Sequence, residues 1–321
     1  MAGVFDPTSG VYDPSIGRCQ LARLTPQQLA DGISNFRQFA EHLQLLPVPY
    51  VIKQSYSDMD VVCTNPKEKI LSFLHTHYDP KSVTVNGSCV TIVWEGFQLD
   101  IISIFGLPAG ELFYANNFGL LVHIMLDNTP FSLGANGLLL DKPSDLGGKF
   151  CVCQDPLKIL DFMKIDRKVM IDNLTPDELF TLLTQSPFYQ PEHVSVTHQK
   201  LGKRFIVDKF LSFCQSTPKS SSLPPSSDEV LAFFGKSEEF TTLIAQERRS
   251  KDAEARQAKV KKHLLVVIKN AAIKNTGFKE KDVKVQFDAF KAWIHHTFGM
   301  SYEDWAQTEP NVEEAFAEFG K

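Results

Sequence analysis

The stretch Lys81 to Phe105, KSVTVNGSCVTIVWEGFQLDIISIF, restricts the possible folds more than any other part of the chain. Val83 and Val85 run into Asn86-Gly87, a pair favoured in two-residue hairpin loops because it accepts positive φ. Val90 to Trp94 then run into a second turn at Glu95-Gly96. Three consecutive antiparallel strands follow from that spacing. With helical patterns on either side, the chain reads as α+β. The last strand, Phe97 to Phe105, is apolar except at Gln98, Asp100 and Ser103, which leaves Asp100 among Leu99, Ile101, Ile102 and Ile104. A carboxylate in that setting needs a reason, because loss of hydration disfavours its charged form.

SYSDMDVV, Ser55 to Val62, raises the same question. Strand alternation sends Asp58 and Asp60 to one face, about 7 Å apart along the chain. Like charges held so close repel one another. A hard divalent cation with oxygen ligands, Mg²⁺ or Mn²⁺, offsets that repulsion; a solvated turn is the plainer alternative for so short a motif. With Asp100 some 40 residues later on a neighbouring strand, the three carboxylates suit a two-metal site for phosphoryl chemistry.

On these residues the chain resembles the nucleotidyltransferase superfamily of DNA polymerase β, poly(A) polymerases and CCA-adding enzymes. SDMDVV is similar to that superfamily's h-D-h-D-h strand, and FQLDIISI looks like the strand that carries its third aspartate. The likeness spans residues 25 to 130. It implies a polymerase β-like mixed sheet with flanking helices, followed by mainly helical C-terminal regions. It also implies Mg²⁺- or Mn²⁺-dependent transfer of a nucleoside monophosphate from an NTP to an acceptor hydroxyl. Asp58, Asp60 and Asp100 would be both the metal ligands and the catalytic residues. The acceptor implied is a nucleic-acid 3′ end, RNA ahead of DNA.

The chain departs from the family where a Gly-Gly or Gly-Ser turn, about ten residues before the first aspartate, brings backbone close to the triphosphate. Here the region reads PVPYVIKQSYSD. Either Lys53, Ser55 and Ser57 contact nucleotide from a shortened turn, or nucleotide binding has changed. The second case leaves a non-catalytic nucleic-acid-binding or scaffold protein on a degenerate nucleotidyltransferase fold. Asn116, Asn117 and His123 fall where the family completes its nucleotide pocket. They are candidates for base or ribose contacts, with Asn117 the foremost; helix capping and ordinary exposure are the alternatives. Asp141 and Lys142 are ambiguous in the same way.

Charge is unevenly spread. Glu247 to Lys281 holds eleven Lys or Arg against four Asp or Glu, a local net of +7 in a chain of net −5. Arg248, Arg249, Lys251, Arg256, Lys259, Lys261 and Lys262 form a basic stripe that phosphate backbones would attract, or else a solvated helix face.

The order of elements suggests a catalytic core over 1–130, a mainly helical region with a hairpin over 131–216, a Pro/Ser linker over 217–227 and a helical domain over 228–321. Thr25-Pro26, Asp155-Pro156 and Thr175-Pro176 each start a helix, as does Asn65-Pro66. PYVIKQSYSDMDVVC reads as two short strands, FYANNFGLLVHIML as one helix, NGLLLDK and GKFCVCQD as a hairpin, and Lys203 to Cys214 as another helix.

His75, His77 and Asp79 imitate the H-x-H-x-D-H start of metallo-β-lactamase-like hydrolases. Pro80 replaces the last histidine, and histidines at a helix end are the simpler account. The six cysteines lack C-x-x-C spacing, so neither disulfides nor structural zinc is expected. Without a long apolar run or a signal-peptide pattern, the expectation is an intracellular protein, cytoplasmic or nuclear, with no membrane partner.

Overall fold

In the computed structural model, which describes residues 23–78, 83–191, 205–217, 223–274, 280–308 and 310–319, helix α1 (Pro26–Phe39) begins at a reciprocal cap. The Thr25 hydroxyl accepts from the Gln28 amide, the Gln28 side chain accepts from the Thr25 amide, and Pro26 takes the first helical position. Leu29 and Phe36 on its inner face are buried. Gly32 lies between them, and a Cβ there would stand 2.6 Å from the Met59 sulfur. The helix therefore settles closely on the strand that carries Asp60.

That strand belongs to a mixed five-stranded sheet. Its members are β1 (Leu45–Leu46), β2 (Met59–Cys63), β3 (Thr84–Asn86), β4 (Cys89–Trp94) and β5 (Phe97–Ser103), in the order β1-β2-β5-β4-β3. Helix α2 (Lys67–His77) follows β2, so the hairpins return with β5 parallel to β2; the other neighbours are antiparallel. The Glu95-Gly96 turn forms as expected, with φ of 52° and 82°. The first turn sits one residue later than its Asn-Gly signal. Asn86 stays in the ladder opposite Cys89, and the loop is Gly87-Ser88, where glycine alone supplies the positive φ.

Residues 47–58, expected to hold a strand of their own, run as irregular chain with one isolated bridge, Leu24 to Tyr56. Pro47 and Pro49 remove the donors that a ladder would need. The expected single helix over Phe113 to Leu126 is two, α3 (Gly110–Tyr114) and α4 (Phe118–Leu126), parted by a 3₁₀ turn at Ala115–Asn117. Asn116 and Asn117 both adopt left-handed φ, 49° and 58°, which interrupts the helix.

A second, antiparallel sheet comprises β6 (Phe131–Gly134), β7 (Gly137–Asp141) and β8 (Lys149–Cys153), one strand more than the hairpin foreseen. Helices α5 (Pro156–Met163) and α6 (Pro176–Leu183) start at Asp155 and Thr175 caps, and α7 (Phe205–Ser216) stacks Phe210 and Phe213 on Phe180 of α6. Phe233 of α8 (Ser227–Phe233) packs on Phe162 of α5, with centroids 4.7 Å apart. The chain divides into two compact units, Met1–Ser237 and Glu238–Lys321. In the second, α9 (Ser237–Lys274), α10 (Glu280–Phe298), α11 (Tyr302–Gln307) and α12 (Val312–Phe319) enclose Leu264, Ile268, Phe290, Ile294 and Trp305. Lys203, part of the 217–227 linker, Cys19, Asp79 and Pro80 lie outside the described residues. No helix among the described residues is long and apolar enough to cross a membrane.

Pleating sorts the large sheet's side chains. Met59, Val61, Cys63, Leu99 and Ile101 face the core beneath α1 and α2, while Val62 and Ile102 face a smaller cluster with Leu107 and Tyr114. Asp60 and Asp100 alternate with the first set and so share the face of Val62 and Ile102. The immediate apolar neighbours Met59, Val61, Leu99 and Ile101 point the other way, while Val62 and Ile102 share the aspartates' face.

Candidate metal centre

Parallel pairing of β2 with β5 sets Asp60 directly beside Asp100, and Asp58 lies two residues ahead of Asp60. One oxygen from each of the three carboxylates falls within 4.8 Å of the others. Asp60 is exposed; Asp58 and Asp100 are half-buried.

Neighbouring donors aim the carboxylates. Thr91, opposite Asp100 across the hairpin, donates to its Oδ1 at 2.6 Å, and Gln98 Nε2 reaches both oxygens at 3.1 Å. Ser57 Oγ donates to Asp58 Oδ1 at 2.9 Å. Burial pushes the Asp100 pKa up, the Thr91 and Gln98 hydrogen bonds pull it down, and the Asp58 charge pushes it up again. The nearby Cys89 thiol is pushed to about 12 by burial, then by Asp100 and, more weakly, by Asp60 and Asp58. It remains protonated at neutral pH and offers no thiolate. The available donors are thus hard oxygens in a half-polar setting, which suits Mg²⁺ or Mn²⁺ and not a soft metal.

The carboxylates line a cavity of about 1430 Å³. The chain from Val48 to Ser57 forms one wall, Tyr114, Asn117 and His123 another, and Phe205 and Lys209 of α7 a third. Its described charged lining is balanced, with Arg23, Lys53 and Lys209 against the three aspartates.

Tyr56 organises the first wall. Its hydroxyl donates to Val51 O at 3.1 Å and accepts from Lys53 N at 2.9 Å, and its ring meets Tyr50 edge-on. Its backbone exchanges two 2.9 Å hydrogen bonds with Leu24. Asn116 anchors the same wall from behind. Fully buried, it donates its backbone N–H to Pro49 O and its side-chain amide to Val169 O and Asp172 O, and its Oδ1 accepts from Leu174 N.

Lys53, Ser55, Ser57 and Asn117 therefore share the cavity with the triad, as does His123. Asn116 lines it too, but its amide is committed to the backbone, so a base or ribose contact is not what it supplies. Asp141 forms a 3.2 Å cross-strand ion pair with Lys149 and lies off the cavity lining. His75 and His77 are exposed in the last turn of α2, and the aspartate triad is the one potential metal cluster among the described residues.

Arg248, Arg249, Lys251, Arg256, Lys259, Lys261 and Lys262 are all exposed on α9 in the second unit. Arg248, Lys251, Lys259 and Lys262 fall opposite the stripe that buries Val260, Leu264 and Ile268, whereas Arg256 is in line with that stripe, one turn before Val260. Lys261 lies apart from the stripe, with its ammonium 5.7 Å from the Phe287 ring centroid.

Thr91, Gln98, Tyr56 and Arg23 are not among the residues that the sequence pattern marks for the site. The Glu95-Gly96 turn already sets Thr91 opposite Asp100, so that partner was within reach of counting rungs. Arg23 carries no local signal. Comparisons of the chain with protein-family models, curated proteins and solved structures give no match.

Proposed function

We propose that the chain is a metal-dependent nucleotidyltransferase that moves a nucleoside monophosphate from an NTP to an acceptor hydroxyl, a nucleic-acid 3′ end, RNA ahead of DNA. The observation that carries this reading is the convergence of Asp58, Asp60 and Asp100 within 4.8 Å beside a cavity large enough for a nucleotide. The mixed sheet covered on one face by α1 and α2 supports a polymerase β-like core. Divalent cations at such a site acidify an attacking hydroxyl and hold a leaving pyrophosphate. Asp58 and Asp60 would hold the cations, and Asp100, aimed by Thr91 and Gln98, would complete the ligand set and help activate the acceptor hydroxyl. The exposed basic stripe of α9 supplies affinity for the acceptor's phosphates.

One observation favours the alternative of a binding protein on a degenerate fold: the wall before Asp58 has no glycine and is closed by the Tyr56 side chain. The deciding assay offers the purified protein each labelled NTP with Mg²⁺ or Mn²⁺ and pooled RNA, DNA and protein acceptors. We expect metal-dependent label transfer to RNA, lost in Asp58→Asn and Asp100→Asn. Absence of both transfer and nucleotide binding would sink the enzyme reading, while steep salt-dependent RNA binding without turnover would install the alternative.

A further inference from the structure

We propose that Arg23 and Lys53, gathered by Tyr56 and Ser55, form a polyphosphate-binding subsite made of side chains beside the acidic triad. The inference rests on the nucleotidyl-transfer reading and deepens it. Amides in this wall are already spent inside the protein: Ile52 N donates to Leu174 O, Lys53 N to the Tyr56 hydroxyl and Tyr56 N to Leu24 O. A cradle of converging backbone N–H groups, the usual phosphate holder in a glycine turn, is not available from those three positions. With those three amides spent, the charged side chains on the same wall become the principal phosphate donors.

Arg23 is exposed, lines the cavity and has its backbone fixed beside the wall by the Leu24 to Tyr56 bridge. Its Nε donates to Ser55 Oγ at 2.7 Å, and one terminal nitrogen lies 3.4 Å from Ser55 O. Two of the five guanidinium donors therefore orient the fork and the remainder can address a ligand. Lys53 lines the same wall, with its ammonium 5.6 Å from the Tyr56 ring centroid. Ser55 is three residues from Asp58, so Lys53, the serine that holds Arg23, Asp58 and Asp60 are all carried on one short segment. Phosphate oxygens accept charge-assisted bonds from such groups. With cations on the aspartates, a polyphosphate completes the charge balance of the cavity; an uncharged nucleoside does not.

The test uses the full chain in Mg²⁺ and measures, by calorimetry, binding of inorganic tripolyphosphate and of adenosine as a phosphate-free control. We expect Arg23→Ala and Lys53→Ala each to weaken tripolyphosphate binding roughly tenfold to a hundredfold, leaving adenosine binding unchanged. Arg23→Lys should recover part of the loss, and Ser55→Ala should fall between wild type and Arg23→Ala. Thermal melts run alongside identify any variant that has lost its fold, and the exposed Arg23 is the safest of these sites. Wild-type affinity for tripolyphosphate in both alanine variants overturns the subsite but leaves the enzyme reading standing. Failure of the wild type to bind tripolyphosphate also overturns it, and the label-transfer assay then judges the enzyme reading separately.

Discussion

The acidic triad and the basic face of α9 are both concentrations of charge, and they are assembled in opposite ways. The basic face comes from one helix. Arg248, Lys251, Lys259 and Lys262 recur near the helical period, all exposed, and the helix alone is enough to bring them to one face. The triad draws on a strand, the chain just before it and a neighbouring strand that follows two hairpin turns. Solvated charges of the first kind need no ligand to explain them. Three carboxylates held within 4.8 Å, two of them half-buried, repel one another unless something positive joins them. The triad thus makes a stronger argument for function than the larger basic stripe.

The largest expected effect separates stability from activity at the triad. Asp100→Asn should lower metal-dependent transfer by at least about a hundredfold, because it removes a ligand from the reacting centre. In metal-free buffer the same variant should melt at the wild-type temperature or higher, since a repelling charge is gone, and the rise in Tm that Mn²⁺ gives the wild type should shrink or vanish. A lower metal-free Tm with unchanged transfer would mean that the carboxylates serve the fold and not a cation.

Next in size is a substitution that attacks the long-range construction of the cavity wall. Asn116→Ala removes two donors and one acceptor that tie residues 169–174 to the turn between α3 and α4, and it puts alanine, which tolerates left-handed φ less well than asparagine, at φ 49°. Unsatisfied buried carbonyls and left-handed strain together should destabilise the protein by about 2–4 kcal/mol, read by urea denaturation. A change below about 0.5 kcal/mol, the usual scale of an unimportant surface substitution, would show that Asn116 is no anchor.

These two residues also mark how far the sequence can be read. Asp58, Asp60 and Asp100 were legible because a carboxylate in an apolar strand contradicts its surroundings, and the Glu95-Gly96 turn fixed the rungs that follow. Helix starts at Thr25, Asp155 and Thr175 were legible from a local cap and proline. The role of Asn116 is not legible because its partners lie more than 50 residues away, and side-chain amides look alike whether they face a ligand or a backbone carbonyl. Arg23 is hidden for the same reason, since the partner that orients it, Ser55, lies 32 residues away. The first hairpin loop slipped by a residue because Asn86-Gly87 and Gly87-Ser88 both place glycine where a positive φ is needed.

A subtler variant tests whether the donors around the triad matter. Thr91→Val keeps the shape of the side chain but removes the 2.6 Å bond to Asp100. Partners that orient a metal ligand typically change metal affinity or activity by 10–100-fold, and with Gln98 still in place the lower end, about tenfold, is expected. Mn²⁺ titration monitored by electron paramagnetic resonance would register it, and unchanged affinity would demote Thr91 to ordinary strand packing.

The smallest stability effect belongs to the basic face, and that smallness is the point of the comparison. Lys259 and Lys262 are exposed on α9 opposite its buried stripe, so Lys259→Glu with Lys262→Glu should move stability by no more than about 0.5 kcal/mol. RNA binding should nevertheless weaken, and the slope of log affinity against log salt should fall by roughly one for each phosphate that the helix no longer neutralises. Filter binding at several salt concentrations measures both quantities. If affinity and slope stay at their wild-type values, the stripe is a solvated helix face and the acceptor must be sought through the cavity. If stability drops by well over 1 kcal/mol, these lysines are tied into the second unit's fold, and the contrast with the triad fails at its root.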